Sequence, residues 1–163
     1  MDETDVLSAE GGVLIHDHWK PYFTYGNKAH GLCNAHYLRE LTAASEEGQK
    51  WPERMAELLT GANRLTIEAG GKLSEDEQRR VRQKYRRILA EAEKGNPISP
   101  LQGEGKRGRK AQTKTRNLVD RMREYEQDIL RFMSDVDVPF TNNQAERDIR
   151  MVKVQHFMSF LAE

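Results

Sequence analysis

Cysteine is nearly missing from this sequence: Cys33 is the single one, so no disulfide can form within the chain. Such usage is typical of proteins in a reducing cytosol. Long apolar runs are missing too, and none approaches the ~20 residues that a transmembrane helix needs. The acidic residues 1–5 lack the apolar core of a signal peptide. We therefore expect a cytoplasmic protein with no membrane partner.

An excess of charge of either sign is also missing, because 26 basic residues balance 26 acidic ones. Net charge therefore points to no partner, and only local clusters of charge can do so. Neither an internal repeat nor a glycine-rich phosphate loop is present, which argues against solenoids and common nucleotide-binding motifs. With 163 residues, 37% hydrophobic and 32% charged, the chain suits one soluble, strongly helical domain.

Two short apolar runs predict a small β component. The first, in Val13–Trp19, is typical of a parallel strand buried on both faces, and Ala29–Cys33 predicts a second, brief strand. Asp17 lies where the first apolar run ends, at the edge where open α/β sheets place their functional sites. A carboxylate there needs a partner or a metal to offset its lost hydration.

Helical periodicity dominates the rest of the chain. Residues 49–100 predict two helices that are separated by Gly70-Gly71, and a capping box at Ser74-Glu77 opens the second. The residues predicted to face the core are Ala35, Leu38 and Leu41 in a first helix, Met55, Leu58, Leu59, Ala62 and Leu65 in a second, Val81, Tyr85, Ile88, Leu89 and Ala92 in a third, and Leu118, Met122, Tyr125, Ile129 and Phe132 in a fourth.

Prolines and glycines predict a loop at residues 96–114, between the third and fourth helices. We call it the basic loop, because it carries five cations: Lys106, Arg107, Arg109, Lys110 and Lys114. A flexible basic segment is typical of contacts with nucleic acid, although many such segments are only solvated linkers.

The stretch Thr141–Lys153 predicts a helix that a capping box opens, from Thr141 to Gln144. Its apolar face would comprise Ala145, Ile149 and Val152, and its polar face Asn143, Glu146, Arg150 and Lys153. Glu146 can be interpreted as a first-turn acid that pairs with Arg150 on a solvated helix. The other interpretation makes it a functional carboxylate that acts together with Asp17.

Two histidine-containing motifs suggest metal sites. His16, Asp17 and His18 resemble a ligand set, but along a strand the two histidines point one way and the aspartate the other. The alternative is that each histidine is a structural hydrogen-bonding group. Cys33-x-x-His36 suggests zinc, yet a structural zinc site usually takes four ligands and no second Cys/His pair exists.

Three blocks of the sequence resemble transposases of the insertion sequence 66 family, a branch of the Asp-Asp-Glu transposases. The blocks are His16–Phe23, Leu32–Leu41 and Val138–Lys153, and their order and separation match over roughly residues 12–155. The resemblance implies a mostly α protein with a small β component, namely a partial ribonuclease-H-like α/β core with a large helical insertion. It divides the chain into an undefined N-terminus at 1–11, core residues 12–44, a helical insertion at 45–135, and a catalytic-core helix with a truncated C-terminus at 136–163.

The resemblance also implies the chemistry of insertion-sequence transposition. Two Mg²⁺ (or Mn²⁺) ions are held by two aspartates and a glutamate, one activating the attacking water or 3′-hydroxyl and the other stabilising the leaving oxygen. Carried onto this chain, Asp17 is the second acid and Glu146 the third. Candidate phosphate contacts are Arg147, Arg150 and Lys153, and candidate accessory residues are Cys33, His36 and Asn143.

The family's first catalytic aspartate lies upstream of Asp17, and neither Asp2 nor Asp5 replaces it, because no strand-like run surrounds them. We therefore expect a fragment of a bacterial transposase that is inactive alone and binds metal weakly. Its expected partners are insertion-sequence DNA at the nucleoid, and itself or other transposase chains. One alternative is a non-catalytic DNA- or transposase-binding regulatory module that depends on the basic loop but not on Asp17. Another is a metal-dependent hydrolase that uses His16, Asp17 and His18.

Overall fold

A computed structural model describes residues 12–18, 21, 24, 29–98 and 112–142. Its elements are the strands β1 (Val13–His16) and β2 (Ala29–Leu32), the helices α1 (Asn34–Ser45), α2 (Trp51–Glu68), α3 (Glu75–Gly95), α4 (Lys114–Glu124) and α5 (Glu126–Ile129), and a 3-10 turn at Arg131–Met133. The protein is mostly helical with a small parallel sheet, as predicted. In these ranges every helix is too short or too polar to cross a membrane.

The two strands run parallel, with Val13 beside Ala29 and His16 beside Leu32. The prediction that β1 is buried on both faces was wrong, because residues 13–15 are only half-buried. Within the described ranges β1 has one neighbouring strand, so one of its edges has no strand to cover it. The register brings the carboxyl ends of both strands to the same edge of the sheet.

Helices α2 and α3 form an antiparallel pair whose facing apolar residues make much of the core. The capping box at the start of α3 is confirmed: the Ser74 backbone N–H donates to Glu77 at 3.0 Å, and the Glu77 N–H donates to Ser74 Oγ at 3.4 Å. All five apolar residues predicted for α3 are buried. The Tyr85 hydroxyl donates to the Met122 carbonyl at 2.8 Å, which joins α3 to α4 in the core.

The apolar face predicted for α1 was partly wrong. Leu41 is buried as predicted, but Ala35 and Leu38 are only half-buried, and Asn34, Tyr37 and Ala44 are buried beside Leu41. A polar residue can occupy this place because the Asn34 side chain donates to the Ile129 carbonyl at 3.0 Å. Two apolar series share Leu41 at helical spacing, and the predicted one is rotated from the buried one.

The single long helix predicted around Leu118 and Phe132 is interrupted. Helix α4 ends at Glu124, and Tyr125 leaves the helical conformation with φ −105° and ψ 24° before α5 begins. Tyr125 is half-buried, whereas Ile129 and Phe132 reach the core as predicted.

Two further expectations need correction. Leu65, predicted to face the core, is 44% exposed. Thr66 is buried instead, because its hydroxyl donates to the Ala62 carbonyl at 2.8 Å and so removes the cost of burying it. Lys114 was predicted in the loop but is the first residue of α4. The remaining cations of the basic loop lie outside the described residues.

Candidate metal centre

Asp17 lies at the carboxyl edge of the parallel sheet. Strand β1 ends at His16, and the next side chain, that of Asp17, is exposed to solvent. The expectation that Asp17 loses its hydration was therefore wrong, because β1 is not buried on both faces. Since His16 pairs with Leu32, Cys33 is the corresponding first residue after β2. Neighbouring strands lie about 4.8 Å apart, so Asp17 and Cys33 begin from adjacent positions at one edge.

Residues 138–142, which we call the crossing segment, cross this edge and are hydrogen-bonded to β1 and to the two residues that follow β2. The Asn34 backbone N–H donates to the Phe140 carbonyl at 3.0 Å, and the Asn142 N–H donates to Cys33 Sγ at 3.2 Å. The Asn142 side chain also lies 3.5 Å from the Ile15 carbonyl, to which it donates. Asn142, the last residue of this segment, is therefore hydrogen-bonded to Ile15, which lies two residues before Asp17 in the sequence.

Cys33, the residue that follows β2, is hydrogen-bonded both to β1 and to residues 138–142. Its backbone N–H donates to the His16 carbonyl at 2.9 Å, and its thiol accepts the bond from Asn142. The side chain is buried. No group of three His, Cys, Asp or Glu residues in the described ranges is arranged to hold a metal ion. The geometry thus gives Cys33 a part in fixing the segment, which its sequence motif did not reveal.

Gly31 makes this close crossing possible. A Cβ at this position would lie 3.0 Å from Val138 Cγ1 and 3.5 Å from the side chains of Ile15 and Val13. Val138 is buried and belongs to the core cluster. The small residue in β2 therefore leaves room for the first residue of the segment to pack on the sheet.

His16 is buried in the structure rather than presented to solvent. Its Nε2 lies 3.2 Å from Nδ1 of His30, a hydrogen bond in which one imidazole donates and the other accepts. Burial, followed by the charges of His30 and His18, lowers the pKa of His16 to about 4. The ring is therefore neutral near pH 7 and is used in a structural hydrogen bond.

His18 departs from the extended geometry assumed for the His16-Asp17-His18 motif. Its φ is +71°, in the left-handed region, so the chain turns directly after Asp17. Its ring packs edge-on against Tyr125 with centroids 4.5 Å apart. Each histidine thus has its own packing or hydrogen-bonding contact, and the structure gives no support to the hydrolase hypothesis.

Most of the other predicted site residues fall outside the described ranges. These are Glu146 and Asn143, the phosphate-contact candidates Arg147, Arg150 and Lys153, and Lys106, Arg107, Arg109 and Lys110 of the basic loop. Lys114 is described and is exposed at the start of α4. His36 lies on α1, half-buried, and its buried Nδ1 has no hydrogen-bond partner in the part of the chain that is described.

Sequence reasoning missed three residues that shape the edge. The backbone N–H groups of Asn142 and Asn34 supply hydrogen bonds that fix the crossing segment, and Gly31 gives it room. A signal existed for the asparagines, because both lie inside the blocks that carry the family resemblance. No comparable signal marked Gly31, since a glycine in a short strand has many explanations.

Comparison with family models gives a match to the transposase IS66 family over residues 3–162. Neither the comparison with curated proteins nor that with solved structures gave a match. The family match covers nearly the whole sequence and includes the edge at Asp17, Cys33 and Asn142. The chain belongs to the IS66 transposase family.

Proposed function

We propose that this chain supplies Asp17 and Glu146 as two carboxylates of a ribonuclease-H-like catalytic site that cuts and joins bacterial insertion-sequence DNA. Asn142 carries the proposal, because it is fixed to the sheet beside Asp17 and stands four residues before Glu146. A helix starting there would advance about 6 Å over those four residues. Glu146 would then stand within about one helical turn of the edge that bears Asp17.

The donor chemistry of this edge fits a hard divalent cation. Asp17 is an exposed carboxylate, and Glu146 would add a second set of oxygen ligands, which Mg²⁺ and Mn²⁺ prefer. When bound, such ions activate an attacking hydroxyl and stabilise a leaving oxygen. The contribution of this chain is positional: Gly31, Cys33 and Asn142 fix residues 138–142 at the sheet edge, and this segment ends four residues before Glu146.

DNA is the partner that membership of a transposase family implies. We assign phosphate contacts to the basic loop and to Arg147, Arg150 and Lys153, because clustered cations hold the phosphate backbone of bound DNA in place. The helical region 45–135 would act as an insertion in the catalytic core. Self-association or pairing with other transposase chains, in the bacterial cytoplasm, is part of the same proposal.

Two measurements test the assignment. Mn²⁺ binding, followed by electron paramagnetic resonance of the free ion, should weaken at least about tenfold in Asp17→Asn and in Glu146→Gln. Asp137→Asn, which removes an exposed acid directly before the crossing segment, is the matched control and should leave the affinity unchanged. If either site variant binds Mn²⁺ as the parent does, that residue is not a ligand.

Plasmid nicking and strand transfer by the purified chain test whether the site is complete. Two carboxylates are fewer than two-metal phosphoryl transfer requires, since the mutual repulsion of the ions must be offset by anionic ligands. We therefore expect no metal-dependent cleavage by the 163 residues alone. Cleavage that both Asp17→Asn and Glu146→Gln abolish would show that a further ligand is present within them.

A further inference from the structure

A groove of about 650 Å³ runs between α2 and α3. Among the described residues, five exposed cations line it. Arg54 is paired with Glu91, and we call the other four the groove cations: Arg64, Arg80, Lys84 and Arg87. The lining also includes apolar side chains of both helices, among them the exposed Leu65. The groove is formed by α2 and α3, whereas the sheet edge is formed by β1 and β2 and the basic loop connects α3 to α4.

The groove cations differ from Arg79, Arg82 and Arg86 of α3, each of which lies close to a carboxylate. Arg82 and Arg86 lie 3.9 and 2.9 Å from Glu126, and Arg79 lies 2.8 Å from Asp76. Among the described residues, none of the four groove cations is in an ion pair with a carboxylate. Arg79, Arg82 and Arg86 are therefore paired with carboxylates within the fold, and in the described ranges the four groove cations are not.

Acids in the groove lining offset only part of this positive charge. Glu77 accepts a hydrogen bond from Ser74 Oγ at 2.6 Å in the capping box and keeps its negative charge. Arg54 also lines the groove and pairs with Glu91 at 2.5 Å. Glu57 and Glu77 therefore set two carboxylates against the four groove cations.

The spacing of these charges suits a chain of phosphates. Arg80, Lys84 and Arg87 follow one another at i, i+4 and i+7, so they form a stripe about 10 Å long. One strand of DNA presents a negative charge every ~3.4 Å of helix axis, so this stripe spans about three phosphates. Like charges at i and i+4 repel in the free protein, and an anionic polymer would remove that repulsion. The apolar lining lowers the local dielectric and strengthens the attraction.

We propose that the groove cations bind the phosphate backbone of DNA and form a contact surface separate from the basic loop. The proposal rests on the proposed function only in taking DNA as the partner. Arginine suits this role because its guanidinium forms paired hydrogen bonds with phosphate oxygens.

The test compares two variants of the full chain that lose equal charge. In one, the four groove cations become glutamine. In the other, four exposed cations outside the groove become glutamine: Arg39, Lys50, Lys72 and Lys94. Like the groove cations, these four form no ion pair with the described residues. Binding of a fluorescent duplex of about 20 base pairs is measured by anisotropy over a range of salt concentrations. Circular dichroism and thermal unfolding verify that both variants are folded, as expected for exposed positions.

The groove variant should bind about 10- to 100-fold more weakly at about 0.1 M salt, and its salt slope should fall by up to about 3.6. The control should change affinity less than about threefold. Equal losses of duplex affinity in the two variants would show that only the net charge of the chain matters, and would overturn the proposal. An unchanged duplex affinity with lost binding of polyglutamate would assign the groove to an acidic peptide and also overturn it. A parent chain that binds no duplex at all would instead contradict DNA as the partner in the proposed function.

Discussion

The fit between Gly31 and Val138 gives the sharpest prediction about the fold around the site. In a strand without neighbours, Gly31→Ala would stabilise by about 0.5–1 kcal/mol, because alanine loses less conformational freedom on folding. Here the new Cβ would lie 3.0 Å from Val138 Cγ1, closer than side chains normally approach. Such overpacking costs about 1–3 kcal/mol. We therefore predict that Gly31→Ala lowers the free energy of unfolding by about 0.5–2 kcal/mol.

Urea unfolding measures this change, and a double-mutant cycle assigns it to the contact. Val138→Ala removes the methyl group that the new Cβ meets, so in that background Gly31→Ala should be neutral or stabilising. The coupling energy between the two positions should then be about 1–3 kcal/mol, with an unchanged m-value.

Gly61→Ala provides the matched control for glycine replacement. Gly61 lies in α2, and a Cβ there meets nothing within 4 Å. This substitution should stabilise by about 0.5–1 kcal/mol through helix propensity. If Gly31→Ala destabilises equally with and without Val138, the segment 138–142 does not pack on β2 as described, and the proposed path to Glu146 fails.

Three further predictions address binding and stability. Replacing all five cations of the basic loop with alanine should weaken duplex binding and lower the salt slope by up to about 4.5, and an unchanged slope would remove the loop from the DNA surface. The free energy of unfolding should fall by up to about 3 kcal/mol as pH drops from about 7 to 4, because the unfolded chain protonates His16 near pH 6.5 while burial lowers its folded pKa to about 4. His16→Gln should flatten that curve, and an equally steep curve would exclude His16 as its source. Tyr85→Phe should cost about 1–2 kcal/mol in urea unfolding because the Met122 carbonyl loses a buried donor, and a loss below about 0.3 kcal/mol would show that another group satisfies it.

The sequence predicted the helices well where apolar periodicity and end signals agree. Helix α3 is the best case, because the Ser74 capping box marks its start, Gly95 its end, and every predicted core residue is buried. Prediction failed where a polar group is buried with its own partner. Asn34 was not expected in the buried face of α1, because its amide donates to a carbonyl 95 positions away and no local pattern encodes such a contact.

The candidate site was predictable only in part. Its residue types and the strand-end position of Asp17 follow from the sequence and the family blocks. The packing of Val138 on Gly31 and the bond from Asn142 to Cys33 join segments about 110 residues apart, so only the folded chain reveals them. The break at Tyr125 had no proline or glycine to announce it, which is why one long helix was expected.

Iron-directed cleavage tests most directly whether Asp17 and Glu146 meet at one metal centre. Fe²⁺ replaces Mg²⁺ at oxygen-ligand sites, and with ascorbate and peroxide it generates radicals that cut the backbone close to the bound ion. Mass spectrometry of the fragments should show cuts near residue 17 and near residue 146 in the same sample. Excess Mg²⁺ should suppress both, and Asp17→Asn alone should abolish both. Cuts near one residue only, or cuts at 146 that persist in Asp17→Asn, would contradict a shared site.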